Sequence, residues 1–224
     1  MATYEKGALG PYSGKVGSVI GSKWRSIDYL RSLPKKKHTN RKPSGKQLEQ
    51  QMKFTIAVDF LAPWRSFINF IPNNKGKSGM TNFNAVSSIL IKKIEGQYPN
   101  LTIPYHAVEF TRGQLLNILP TASSTSEELK ITWPNILGFG ASDRDLVVIL
   151  IYNESDKAAY IFKSTLRGAG QQSLFTDEFG EGIMHIWTVV LSVDGTKWSD
   201  SKYCGMFEFK RNVSKNEDLL INTN

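Results

Sequence analysis

"DLVVILIYN" at 145–153 and "MHIWTVVLSV" at 184–193 decide how this chain is read. Each is a short apolar run dense in Val, Ile and Leu, shorter than most helices and rich in strand formers. Further short runs lie around them: "LKITW" (129–133), "KAAYIFK" (157–163), "QQSLFTDEF" (171–179) and "CGMFEFKR" (204–211). Turn signals separate them, among them Gly180 with Gly182 and the Asp194-Gly195 step inside "VDGTKW", which reads as a hairpin. Six or seven strands within roughly 90 residues is the spacing of an antiparallel β-sandwich. The expectation for 129–212 is an immunoglobulin-like or fibronectin-like sandwich, with Trp133 and Trp187 in its core.

Upstream the pattern changes. "LPTASSTSEE" (119–128) is rich in Ser and Thr and reads as a connector between domains. Before it, "HAVEFTRGQL" (106–115) reads as a strand and a turn. Ser44 followed by Gln47 forms a capping box that opens a helix. Leu48, Met52, Ile56 and Phe60 recur at spacing four and make an amphipathic stripe. Pro63 must kink or restart that helix, and "WRSFINFI" continues it to Pro72. Thr81 can cap a second helix, with Phe83, Val86, Ile89, Leu90 and Ile94 on one side and Gly96 as its stop. The whole is therefore α+β. Residues 1–118 form a basic, glycine-rich strand segment with two helices, 119–128 the connector, 129–212 the sandwich and 213–224 a polar tail.

The charge is concentrated at the front. The chain of 224 residues carries a net charge of +8, and residues 1–50 hold eleven Lys or Arg against three acids. The rest is balanced, so the front carries the whole excess. Lys15, Lys23, Arg25, Arg31, Lys35, Lys36, Lys37, Arg41, Lys42 and Lys46 follow one another, with Trp24 and Tyr29 interleaved. Cations along a backbone with rings for stacking is the mixture that binds single-stranded nucleic acid or another polyanion. These cations and Trp24 are the candidate polyanion-binding residues. A second use of the segment, between Gly-permitted bends, is an anchored ribbon with two short strands over 16–33.

Catalytic patterns are missing. The glycines at 14, 17 and 21 do not have phosphate-loop spacing, and Ser22 precedes Lys23 rather than following it. His38, His106 and His185 are scattered without metal-ligand spacing, and one cysteine, Cys204, can form neither an internal disulfide nor a zinc cluster. His185 shares a strand face with Trp187 and reads as a hydrogen-bonded histidine at the core edge. Asp143 and Asp145 flank Arg144 as a turn with local pairing, and Glu178 with Glu181 suits an acidic turn. No catalytic residue, metal site or cofactor is expected. No stretch reaches the roughly 18 apolar residues of a membrane span. The first residues lack a charged region followed by an apolar run, so synthesis is expected in the cytoplasm without a conventional signal peptide. The final location, in an assembly outside the cell or in a virion, stays open.

"GPYSGKVGSVIGSKWRSIDYLRSLPKK" (10–36), "FLAPWRSFINF" (60–70) and "WSDSKYCG" (198–205) resemble an uncharacterised family of Bacteroidota proteins of unknown function. Its members share an N-terminal block of the form SGKVG…W…RS.P, two helices and a β-rich C-terminal half. The resemblance implies a bacterial or phage origin and a two-part build, and it carries no chemistry.

Together these features point to a non-enzymatic, self-assembling structural protein, coat-like or filament-like. Its basic front would contact copies of itself or a polyanion. The alternative is a nucleic-acid-binding protein that forms no large assemblies.

Overall fold

The computed structural model describes residues 3–4, 10–24, 27–34, 42–71, 80–125, 127–138 and 140–209. It divides into two compact units, Met1–Pro43 and Ser44–Asn224.

The first unit is an antiparallel meander of β1 (Thr3–Tyr4), β2 (Tyr12–Val16), β3 (Val19–Trp24) and β4 (Ile27–Ser32), in that spatial order. Gly17, at φ 58, supplies the positive dihedral that the tight turn between β2 and β3 requires. Gly21 lies directly under Tyr12, where a Cβ would stand 2.0 Å from the Tyr12 carbonyl oxygen. Only glycine fits that approach. Where two short strands were expected over 16–33 the structure has β3 and β4, and β1 and β2 precede them.

The second unit begins with α1 (Gly45–Leu61), opened by the expected capping box: Ser44 N donates to Gln47 Oε1 at 2.8 Å, and Gln47 N to Ser44 Oγ at 3.4 Å. Pro63 ends α1, and the chain restarts as α2 (Arg65–Phe70). Thr81 caps α3 (Asn82–Lys93) by accepting from Asn84 N at 3.2 Å. A hairpin of β5 (Glu95–Gln97) and β6 (Asn100–Thr102) follows, and Gly96 belongs to β5 rather than stopping the helix. The remaining strands are β7 (Thr121–Ser124), β8 (Glu128–Thr132), β9 (Leu146–Asn153), β10 (Ala158–Leu166), β11 (Gln171–Phe175), β12 (Gly182–Leu191) and β13 (Lys202–Phe209).

Seven of these strands, all antiparallel, form two sheets with orders β11-β8-β7 and β10-β9-β12-β13. The connections β8 to β9, β10 to β11 and β11 to β12 each change sheet, the Greek-key habit of immunoglobulin and fibronectin type III sandwiches. One core lies between the sheets, where Val147, Ile149 and Ile151 of β9 and Met184, Ile186 and Val190 of β12 meet Leu129, Ile131 and Leu174. A second core covers the opposite face of the four-stranded sheet. There Val148, Leu150 and Tyr152 of β9 and Trp187 and Val189 of β12 meet Phe60, Leu61, Trp64, Phe67 and Ile68 from the helices and Val86 and Leu90 of α3. Trp64 is fully buried, with ring centroids 4.8 Å from Phe110 and 6.4 Å from Trp187.

These contacts correct the expected domain map. Thr121–Ser124 is an edge strand paired with β8, not a connector, and the helices share a core with the sandwich. The compact boundary falls after Pro43. Ser and Thr tolerate an edge strand as readily as a loop, so composition alone misreads 119–128. "HAVEFTRGQL" is not a strand either. It holds a 3-10 turn at Tyr105–Ala107 and then an irregular run tied to residues 199–201: Thr111 Oγ1 donates to Ser199 O at 2.8 Å, and Ser201 Oγ accepts from Phe110 N at 2.9 Å. The polar tail 213–224 lies outside the described residues.

Candidate functional site

The candidate surface is the N-terminal sheet. Strand alternation sorts its residues onto two faces. The register pairs Lys15 with Ile20, Ile20 with Arg31, Ser22 with Tyr29 and Trp24 with Ile27, so Lys15, Ile20, Trp24, Ile27, Tyr29 and Arg31 share one face. Lys23 is on the other face, opposite Asp28, alongside Val16 and Leu30. Large apolar side chains are exposed on both: Trp24 57 %, Ile27 57 %, Leu30 64 %, Tyr29 43 % and Val16 44 %. Gly21 is the one buried position among the described residues of this unit.

Of the sequence-predicted residues, the structure therefore brings Lys15, Trp24 and Arg31 onto one face and sets Lys23 apart. Lys42 is exposed beside Pro43, and Lys46 is exposed in the first turn of α1. Arg25, Lys35, Lys36, Lys37 and Arg41 lie outside the described residues. Composition and charge flagged this segment, but the division into faces needs the hairpin register, which glycine-rich strands do not declare.

The second unit holds a polar cluster at the edge of its helix-side core. His185 is 4 % exposed, and its ring stacks on Tyr105 at 3.7 Å between centroids. Nδ1 lies 3.0 Å from Tyr203 Oη, and Nε2 lies 3.5 Å from Glu154 Oε2. This is the core-edge histidine the sequence suggested, with Trp187 beside it at 6.2 Å. Burial pushes the His185 pKa down against the pull of Glu154, so the ring is neutral at pH 7. Burial, with Glu154 adding to it, pushes the Tyr105 hydroxyl far up, so it stays protonated. No local pattern singles out Tyr105, Glu154 and Tyr203, which reach the histidine from separate elements. Cys204 is half-buried against the inter-sheet core, and desolvation raises its thiol pKa to about 11. It is not a thiolate nucleophile at neutral pH.

A buried ion pair is the other charged feature. Arg167 Nε lies 3.3 Å from Asp145 Oδ2, both side chains being essentially inaccessible. Arg167 also donates to the carbonyls of Ile136 and Leu116, and its own carbonyl accepts from Trp133 Nε1 at 2.8 Å. Asp145 thus pairs with Arg167, its neighbour at the paired ends of β9 and β10, rather than locally with Arg144, which is exposed. A cavity of about 630 Å³ is lined by Glu109, Thr111, Arg112, Gly113, Gln114, Asp200 and Ser201. Several of its polar groups bond within the fold: Glu109 pairs with Lys93 and Arg112, and Gly113 N donates to Asp200 Oδ1 at 2.9 Å. Among the described residues no cluster of His, Cys, Asp and Glu could hold a metal ion. No described helix is long and apolar enough to cross a membrane.

A family of unknown function (DUF6266) matches residues 11–205, which spans both units. The chain belongs to that family. Among curated proteins none matches this DUF6266 member. Among solved structures, it is similar to the fn3 domain of the human collagen alpha-1(XX) chain, with 12 % identity and a TM-score of 0.32. That likeness covers 46 % of this chain and 92 % of the domain.

Proposed function

We propose that this DUF6266 member is a non-enzymatic structural subunit that assembles with copies of itself, coat-like or filament-like, through its N-terminal sheet. One observation carries the reading. The N-terminal sheet leaves Val16, Trp24, Ile27, Tyr29 and Leu30 exposed and buries none of its described large side chains. A sheet this small with no buried face gains little from folding alone, and clustered exposed apolar side chains mark an interaction surface. The body, in contrast, spends its unusual groups internally: His185, Arg167 and Glu109 all pair within it. The sequence resemblance to Bacteroidota proteins suits such a subunit in a bacterium or its phage.

Size-exclusion chromatography with light scattering, with and without nuclease at two salt concentrations, tests this. Particles larger than one chain that persist after nuclease treatment are expected. A monomer under every condition contradicts the proposal.

The second reading, nucleic-acid binding without large assemblies, is favoured by Lys15, Trp24 and Arg31 sharing a face. On that reading, Lys15→Gln with Arg31→Gln lowers the salt slope for single strands by about 1.4, at about 0.7 per phosphate contact. A chain with no salt-dependent affinity for nucleic acid removes it.

A further inference from the structure

We propose that β4 is the assembly edge and that two copies join antiparallel across it, Leu30 opposite Leu30, into one continuous sheet. This rests on the assembly reading above and names one of its contacts, since a two-fold contact alone closes at a dimer and a larger assembly uses a second one. All six residues of β4 are exposed, and it ends the sheet order. Leu33 N donates inward to Ser18 O at 3.0 Å, which fixes the phase of the ladder. Hydrogen-bonded and non-bonded pairs alternate in an antiparallel ladder. Ile20–Arg31, Ser22–Tyr29 and Trp24–Ile27 are therefore the bonded pairs. The N–H and C=O groups of Asp28, Leu30 and Ser32 consequently point out of the sheet.

Such an edge is a template for another strand unless something blunts it. The β10 edge of the body is blunted by an irregularity between Phe162 and Thr165. The pairing of β4 runs without a break from Ile27 to Ser32, and that span contains no proline.

The occupant follows from the charges on the strand. Outward groups must meet outward groups, so Asp28, Leu30 and Ser32 pair among themselves. Centring the two-fold on Asp28 sets carboxylate against carboxylate, and centring it on Arg31 sets guanidinium against guanidinium. Both are unfavourable cross-strand pairs. Centring on Leu30 sets Asp28 against Ser32 of the second copy and Arg31 against Tyr29 of the second copy, a cation-over-ring pair. It also pairs the longest stretch, from Ile27 to Leu33. The strand is complementary to itself, so the occupant is a second copy of this chain, in a closed two-fold contact.

Each copy brings a positively charged segment, and that repulsion is screened over about 8 Å at physiological ionic strength. The contact therefore tightens with added salt. Polyanion binding does the opposite.

The test uses the full chain. Leu30→Cys and, separately, Lys15→Cys are treated with a short bis-maleimide, and both are compared with the unmodified chain, whose Cys204 thiol is held protonated at neutral pH. Across a two-fold at β4, the Leu30 positions are about one strand spacing apart. The Lys15 positions on β2 are separated by about five spacings, near 24 Å. Leu30→Cys should cross-link into dimers, more so at higher salt, and Lys15→Cys should not. Leu30→Pro, which removes the central outward N–H, should reduce the assembled mass while the body's far-ultraviolet signal is kept. Equal cross-linking at both positions overturns the register. An assembled wild type that neither cross-links through Leu30→Cys nor responds to Leu30→Pro overturns the edge but leaves the assembly reading standing. A wild type that is monomeric at every salt concentration overturns both.

Discussion

β4 and β9 are both antiparallel strands paired along their length, yet every residue of β4 is exposed, and seven of the eight in β9 are buried. The backbone chemistry is the same, and what differs is the cover. β9 has a sheet on one face and three helices on the other, so its sequence, "LVVILIYN", is apolar at nearly every position. β4, "IDYLRS", mixes an acid, a cation and three large apolar residues, and no described residue of its own unit covers it. A strand buried on both faces belongs to a core, while a strand exposed on both draws little stability from its own unit. The comparison separates a body that covers its own strands from a sheet that, on the proposed assembly, is covered by a second copy.

The largest effects should come from breaking the body's cover. Asp145→Ala leaves the Arg167 guanidinium buried without its carboxylate, and chemical denaturation should show a loss of about 3–5 kcal/mol. Trp64→Ala opens a cavity where helices and sheet meet, at a cost of about 3–5 kcal/mol. Its unfolding should remain one transition monitored by helix or sheet signals alike. Two separate transitions would mean the helices are a domain of their own. A fragment of residues 129–212 lacks the helices that cover Val148, Leu150 and Trp187, so it should be molten or insoluble. A cooperative melt of that fragment would restore the boundary at 119–128.

A medium effect is expected from pH. His185 has a folded pKa below its unfolded value of about 6.5, so the unfolded chain takes up the proton first as pH falls. Stability should be full above about 6.5 and decline as pH drops from there toward the folded pKa, at no more than about 1.4 kcal/mol per pH unit. His185→Gln should flatten that decline below about pH 6.5. An unchanged slope in the variant would assign it to other groups. The smallest effects belong to the N-terminal sheet: Trp24→Ala should move the body's denaturation free energy by less than about 0.5 kcal/mol, because an exposed side chain contributes little to the fold.

Much of the sandwich was legible in the sequence because strand runs, the Asp194-Gly195 turn and the capping box at Ser44 and Gln47 are local signals. Gly195 sits at φ 70 in that turn, and Asp194, its carboxyl held at about 2 by hydrogen bonds from Ser192 and Thr196, closes it. What was missed is non-local. That α1 packs on the four-stranded sheet follows from no single segment, although the unbroken apolar run of β9 was a sign that both its faces are covered. The Asp145–Arg167 pair joins residues 22 positions apart, and the nearer Arg144 hid it. In the N-terminal segment, charge and aromatic content marked the surface, but alternate residues of a glycine-rich meander can face either way until the register is set, which is why Lys23 was grouped with Lys15 and Arg31.

The most direct test of the central claim is light scattering on the full chain beside a chain lacking residues 2–43, at the same concentration and after nuclease treatment. Both core clusters are built from residues 52–209, so the shortened chain should stay folded. The expected result is an assembled mass for the full chain and a single-chain mass for the shortened one. Equal association of the two, or a full chain that is itself a monomer, would contradict the claim that the N-terminal sheet is the assembly contact.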